Sequence, residues 1–218
     1  MTDLVQVDLL DFVPSVLLEV STCPEDLALK AVRDTCIDFC DHTNFWQHDL
    51  DPITAVANVA EYELDDIPTK TALASIVSMT FQGLPVYPRS REWLDENMPS
   101  WREQYSTRPD KFLVQQIGYF QLVPYPSVTV SDAILVRAAL KPSRTATQVY
   151  DRIYEDYLDD IANGALGRLL AMQSRPWSNA DLALYYKGLY ELERGSAKIA
   201  VRKGHTQLSA VVAPRCLA

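Results

Sequence analysis

The chain has 218 residues, 48% hydrophobic and 22% charged, with a formal net charge of −9. That apolar content can bury a sizeable core and excludes a disordered chain, while the negative charge excludes a general nucleic-acid binder, which needs a basic surface for phosphates. No apolar run approaches the ~20 residues that span a bilayer, and Met1-Thr2-Asp3 lacks the basic start of a signal peptide, so a soluble product of the cytoplasm with no membrane partner is expected.

Residues 9–20 read as a short apolar helix, with Pro14 tolerated in its first turn. Thr22 or Cys23, followed by Pro24-Glu25-Asp26, opens a second helix to about Asp41. Its stripe is Leu27, Ala31, Ile37 and Cys40, with Val32, Cys36 and Phe39 beside it. Cys36, Cys40 and His42 invite a metal reading, because two thiols lie one helical turn apart. The spacing is not that of a zinc finger and no fourth ligand follows, so the two cysteines read as small apolar residues of a helix face. With Cys23 and Cys216 they make no tight disulfide framework and are expected to be free thiols.

From Phe45 to about Ser143, prolines and short alternating runs replace helical periodicity, and this middle reads as β. Val77, Met79 and Phe81 alternate with Ser78, Thr80 and Gln82, and Gln82-Gly83 turns the chain toward Leu84-Pro85-Val86 as a hairpin. Further strands are expected at residues 45–51, 60–64, 112–116, 119–123 and 133–140, with a short helix over residues 90–97. Two strongly patterned helices close the chain, residues 149–174 and residues 179 to about 203, joined by the break Arg175-Pro176-Trp177-Ser178. In the first, Tyr150, Ile153, Tyr154, Tyr157, Leu158, Ile161, Ala162, Ala165, Leu166, Leu169 and Leu170 recur at three- and four-residue steps as one buried stripe. The acids Asp151, Glu155, Asp156, Asp159 and Asp160 line the opposite face, near the positive end of the helix dipole. Gly164 and Gly167 each cost about 1 kcal/mol of helix propensity against alanine, which points to close approach by another backbone. Pro176 stops this helix, Trp177 sits at the break, and Ser178 or Asn179 caps the next.

The resulting fold class is α+β. A helical domain made from the N- and C-terminal helices (residues 1–44 and 144–203) carries an inserted β-rich domain, small and sandwich- or barrel-like, over residues 45–143, and residues 204–218 follow as a C-terminal arm.

Residues 194–218 carry Arg194, Lys198, Arg202, Lys203 and Arg215 with no acid, leaving −14 on the remainder. Basic residues in the last turns suit the helix dipole. Beyond Gly204 the segment still holds Leu208, Val211, Val212 and Leu217, apolar residues that a solvated tail does not need, so it reads as a docking arm.

Nucleophilic catalysis needs a base beside a nucleophile. His42, His48 and His205 have no serine or cysteine motif near them, and no G-x-S-x-G, P-loop or dinucleotide glycine pattern occurs, so no cofactor is expected. One enzymatic alternative remains, a metal-dependent hydrolase using Asp151, Glu155 and Asp159, which align at four-residue steps. No second carboxylate cluster or histidine completes that site, so such a run reads as a solvated face, and the expectation is no enzyme and no bound metal.

Several segments together resemble a family. Residues 157–170, containing Ile161-Ala162-Asn163-Gly164-Ala165-Leu166-Gly167-Arg168-Leu169-Leu170, then Arg175-Pro176-Trp177-Ser178-Asn179 and Ala183, are similar to the C-terminal signature of head-to-tail adaptor (connector) proteins of tailed bacteriophages. Residues 31–40 followed by Trp46 resemble that family's N-terminal helix and first strand. Residues 82–86, 122–126 and 135–142 resemble its inserted β domain. The similarity covers about residues 24–203. It implies a structural virion protein at the head-tail junction, a ring usually of twelve copies that extends the DNA channel, with DNA as passing cargo and with portal and tail or nozzle proteins as partners. A stopper or tail-completion protein is the alternative within the structural class. The resemblance also implies an arm that reaches into the portal, here Leu208, Val211, Val212, Arg215 and Leu217. Heterologous ring contacts use two different faces of each copy, which makes Arg194, Lys198, Arg202 and Lys203 a candidate basic interface and Gly164, Gly167, Pro176 and Trp177 the helix-packing set.

Overall fold

The computed structural model describes residues 5–204. The fold is α+β, with helices α1 to α5 and a curled, half-barrel sheet. It divides into two units, one holding residues 46–150 with the chain up to Gln6, the other residues 7–45 with the segment from Asp151 onward.

After strand β1 (Gln6–Asp8), the Asp8 carboxylate accepts a hydrogen bond from the Leu10 N–H at 3.0 Å and starts a 3-10 turn over Leu9–Phe12. Helix α1 (Val13–Leu17) follows directly. The apolar helix expected over residues 9–20 is therefore two short pieces. Pro14 has no N–H to donate to the Leu10 carbonyl four residues back, and Val13 bonds that carbonyl instead. Helix α2 (Glu25–Thr43) begins at Pro24, not at Thr22 or Cys23, and ends where Asn44 turns left-handed at φ 55°. Its buried face is Ala28, Ala31, Val32, Thr35, Cys36, Phe39, Cys40 and Thr43, so Leu27 and Ile37 lie at its edges. Cys23, Cys36 and Cys40 are buried, and none of the three is in a disulfide. Burial pushes the Cys36 thiol far up, which keeps it protonated and unreactive.

The β unit is built on two long antiparallel strands, β5 (Thr71–Phe81) and β11 (Val130–Pro142), paired from Ile134↔Phe81 to Pro142↔Thr71. Around them run β2 (Gln47–Asp49), β3 (Ile53–Ala55), β4 (Glu61–Glu63), β6 (Leu84–Pro88), β8 (Lys111–Gln116) and β9 (Tyr119–Val123), in the order β2-β11-β5-β6-β8-β9-β4 with β3 also on β11, while β7 (Tyr105–Ser106) and β10 (Tyr125–Pro126) pair as a small parallel sheet of their own. The β5–β6 hairpin turns at Gln82 (φ 49°) and Gly83 (φ 77°), the two successive positive φ values that a type I′ turn requires. Val77, expected to point inward with Met79 and Phe81, is exposed. Arg137 pairs Ser78 but Ala138 pairs Ile76, so Val77 is the extra residue of a bulge and the alternation slips there. Helix α3 (Arg91–Asn97) is capped by the Ser90 hydroxyl, which accepts from the Trp93 N–H. It places Leu94 in a buried cluster with Trp101, Leu113 and Val123.

Helix α4 (Asp151–Leu170) and helix α5 (Ala180–Arg202) form the C-terminal hairpin. The connection is longer than the expected four-residue break. Helix α4 stops at Leu170, whose carbonyl accepts from the Asn179 N–H at 3.0 Å, and the Asn179 side chain then caps α5 through the Leu182 N–H. Helix α4 is also not one straight rod. Tyr157 has φ −137° and ψ 22°, and its ring is held between Phe39 (4.8 Å) and Phe45 (5.0 Å). Phe12 packs edge-on against Tyr154 at 5.0 Å, so Tyr154 and Tyr157 are packing residues of the helical unit.

Candidate functional site

The helical unit has a cavity of about 340 Å³ lined by Asp38 of α2, by Gly164, Gly167 and Arg168 of α4, and by Lys187, Tyr190, Glu191 and Arg194 of α5. The two α4 glycines set its floor. A Cβ on Gly164 would stand 2.5 Å from the Thr35 methyl and 2.9 Å from the Tyr190 ring, and one on Gly167 3.1 Å from the Lys187 backbone nitrogen. At Gly164 the Thr35 and Tyr190 side chains, and at Gly167 the α5 backbone, therefore lie closer than a Cβ fits without a shift. The remaining members of the expected packing set lie in the connection, where Pro176 is exposed and Trp177 is half-buried with its indole Nε1 lacking a partner among the described residues.

One polar network crosses this contact. The Tyr190 hydroxyl donates to Asp38 Oδ2 at 2.7 Å, Arg194 donates to the same oxygen at 2.5 Å, and the Arg194 guanidinium stacks on the Tyr190 ring. Burial alone would raise the Asp38 carboxyl. The hydrogen bonds from Tyr190 and Arg194, with the charges of Arg194 and His42, outweigh it and hold the group below its ordinary value. The Tyr190 phenol is pushed well up by burial and by Asp38, so it stays a donor. Tyr190 and Arg194, four residues apart on one helix, were a visible pair in the sequence. Asp38, 156 residues before Arg194, carried no local signal.

A second charged contact in the hairpin is repulsive. The Asp160 carboxyl is raised to about 6 by burial, by Glu193 on α5 and by its neighbour Asp159. A carboxylate whose folded pKa lies above its unfolded value destabilises the fold at neutral pH, and that penalty is relieved as pH falls from about 6 toward 3.8. Replacing Asp160 with asparagine is expected to stabilise the protein at pH 7.5 by about 1 kcal/mol, after discounting for partial exposure, and to flatten stability between pH 6 and 4. Urea denaturation at pH 7.5 and pH 4.5 checks both effects.

The acids proposed for a hydrolase do not converge. The helix that carries them is kinked at Tyr157, and among the described residues no three His, Cys, Asp or Glu side chains gather to hold a metal ion. Cys36 and Cys40 are core residues, and His42 Nδ1 pairs with Asp38 Oδ1 at 3.4 Å.

A family model described as SU10 adaptor protein matches residues 6–215. The chain belongs to the SU10 adaptor protein family. No curated protein matches it. An SU10 adaptor is a structural protein of a bacteriophage particle, acting in tail assembly with head and tail components. Among the described residues of this adaptor, no helix is long and apolar enough to cross a membrane.

The basic residues at the adaptor's C-terminal end divide into two sets. Arg194 is turned inward onto Asp38, with 23% of its side chain exposed. Lys198 and Arg202 are exposed on the last turns of α5, and no ion pair among the described residues engages either. Lys203 is also exposed, at the C-cap of α5, and Gly204 follows at φ +60°. The arm residues Leu208, Val211, Val212, Arg215 and Leu217 lie outside the described residues.

Proposed function

We propose that this adaptor assembles as a ring, of about twelve copies by its resemblance to head-to-tail connectors, between the portal and the tail. The ring extends the DNA channel and seats tail or nozzle proteins. In this reading the helices drawn from both parts of the chain are the ring wall, the β-rich segment 45–143 is an insertion in that helical domain, and residues 204–218 are the arm that enters the portal. The family match over residues 6–215 is the observation that carries the proposal. The net charge of −9 suits it, because a channel wall that weakly repels DNA lets the duplex slide where phosphate contacts would hold it. Electron microscopy of the purified protein with and without portal is the test, with a ring seated on the portal as the expected image. Single, unassociated copies under both conditions would overturn the reading.

The arm has its own test. A chain truncated after Lys203 is expected to keep the melting temperature of the full protein and to lose portal binding in a pull-down. Undiminished capture of portal by the truncated chain sinks the arm assignment.

A further inference from the structure

Helix α5 has two apolar faces. The inner one is narrow and small, with Ala183, Tyr190 and Ala197 buried at seven-residue steps. On the outer side, Leu184, Gly188, Leu192, Gly195, Ile199 and Arg202 follow one another at steps of three and four, so they share one exposed stripe. Leu184 is 70% exposed, Leu192 66% and Ile199 56%, on a helix whose inner face holds nothing larger than one tyrosine. A solvated helix face has no use for that pattern.

The glycines of this stripe carry a second signal. The α4 glycines have an explanation inside the unit, because a Cβ on either meets a neighbour within 3.1 Å. A Cβ on Gly188 or Gly195 meets nothing within 4 Å. Each nevertheless costs the helix about 1 kcal/mol against alanine. Two exposed glycines among exposed leucines are what a closely approaching outside backbone requires.

Charge indicates whose backbone it is. Arg202 ends the stripe and Lys198 flanks it, both without an ion pair among the described residues, while Glu155 and Asp159 are exposed on α4 and equally unengaged. The antiparallel hairpin places these groups at the same end of the bundle. Gly167 lies against Lys187, and from there α5 runs on toward Arg202 while α4 runs back toward Asp151, so the basic end of α5 and the acidic first half of α4 lie together at that end. In a closed ring, contacting patches on the two sides of a copy must sit at the same height along the axis, and must differ so that one fits the other.

We propose that the outer stripe of α5, closed by Lys198 and Arg202, docks against the acidic outer face of α4 on a second copy of this chain. This rests on the ring reading above and names the surface that builds the ring. Aliphatic stems of the acidic side chains cover the leucines, the glycines let the two helices approach, and the opposite charges set the height.

The test uses the full-length chain, alone and on purified portal, followed by native mass spectrometry and electron microscopy, with circular dichroism to verify folding. Leu192→Glu is expected to weaken self-association at least about tenfold with the melting temperature unchanged, as burying an unpaired charge at an interface centre does. The pair Lys198→Glu with Arg202→Glu is expected to weaken it as well. Adding Glu155→Lys and Asp159→Lys in the same chain then restores it, because every copy presents both reversed faces. Folded L192E chains that associate like wild type overturn the surface and leave the ring standing. So does a four-fold reversal that fails to recover, and so does L192E that keeps self-association but loses portal, which assigns the stripe to the portal. A wild-type chain that stays single on the portal overturns the ring itself, and this surface with it.

Discussion

Gly164→Ala is expected to lower stability by about 2–3 kcal/mol, although alanine is the better helix former by about 1 kcal/mol. The added carbon would stand 2.5 Å from Thr35 Cγ2 and 2.9 Å from Tyr190 Cδ2. Neither neighbour can swing aside freely. The Thr35 hydroxyl donates to the Ala31 carbonyl at 2.8 Å, which pins the methyl, and the Tyr190 ring is pinned through its hydroxyl on Asp38. A change of rotamer would therefore forfeit a buried hydrogen bond. Thr35→Ser keeps the hydroxyl and removes the methyl, so the double variant should recover about half of the loss. Thermal denaturation of the two single variants and the double variant measures this coupling, and additive losses would show that the contact is not the cause. Gly167→Ala should cost less, about 1 kcal/mol, because its nearest neighbour is 3.1 Å away.

Arg194→Met is expected to cost about 2 kcal/mol at neutral pH, less than a fully buried pair because each side chain is 23% exposed. Methionine preserves the packing on Tyr190 and leaves Asp38 with one hydrogen-bond donor fewer. The loss should depend on pH in a definite direction. The Asp38 carboxyl is held below its ordinary value, so its stabilisation is present above the unfolded carboxylate range and is lost as pH falls through the folded value. The wild-type and R194M stability curves should therefore converge in acid, opposite in sign to the effect of Asp160. Denaturant titrations from pH 8 to pH 3 test this, and a difference that persists unchanged to pH 3 assigns the loss to packing alone. A residue whose position in the sequence suggested an interface thus holds α5 onto α2 within one chain.

Legibility followed the range of the interaction. The short helix expected over residues 90–97, the Gln82-Gly83 turn and the strand at residues 119–123 each depend on neighbouring residues, and each was readable. The end of α4 was not. Pro176 looked like its stop, but the terminating bond is made by Asn179 across a turn in which Ser174 is left-handed at φ 59°. Val77 followed the strand alternation and is nevertheless exposed, because it is the extra residue of a bulge in β5 that appears only in the pairing with β11 and that no pattern in residues 71–81 announces. The kink at Tyr157 lies within an unbroken periodicity and involves Phe39 and Phe45, more than a hundred residues earlier.

Family membership was also legible, since ordered short segments survive as sequence. By itself the sequence determined that residues 180–202 are helical and amphipathic, because propensity, the Asn179 cap and the closing glycine are local. It did not determine which face turns inward. Hydropathy alone favours Leu184, Leu192 and Ile199, yet these are exposed and the narrower Ala183, Tyr190 and Ala197 face is buried. The tertiary structure decided this at the glycines of α4. Gly167 brings the α5 backbone within about 3.1 Å of a potential Cβ and Gly164 makes room for the Tyr190 ring, so alanines and one edge-fitting tyrosine fill the seam and the large residues turn outward.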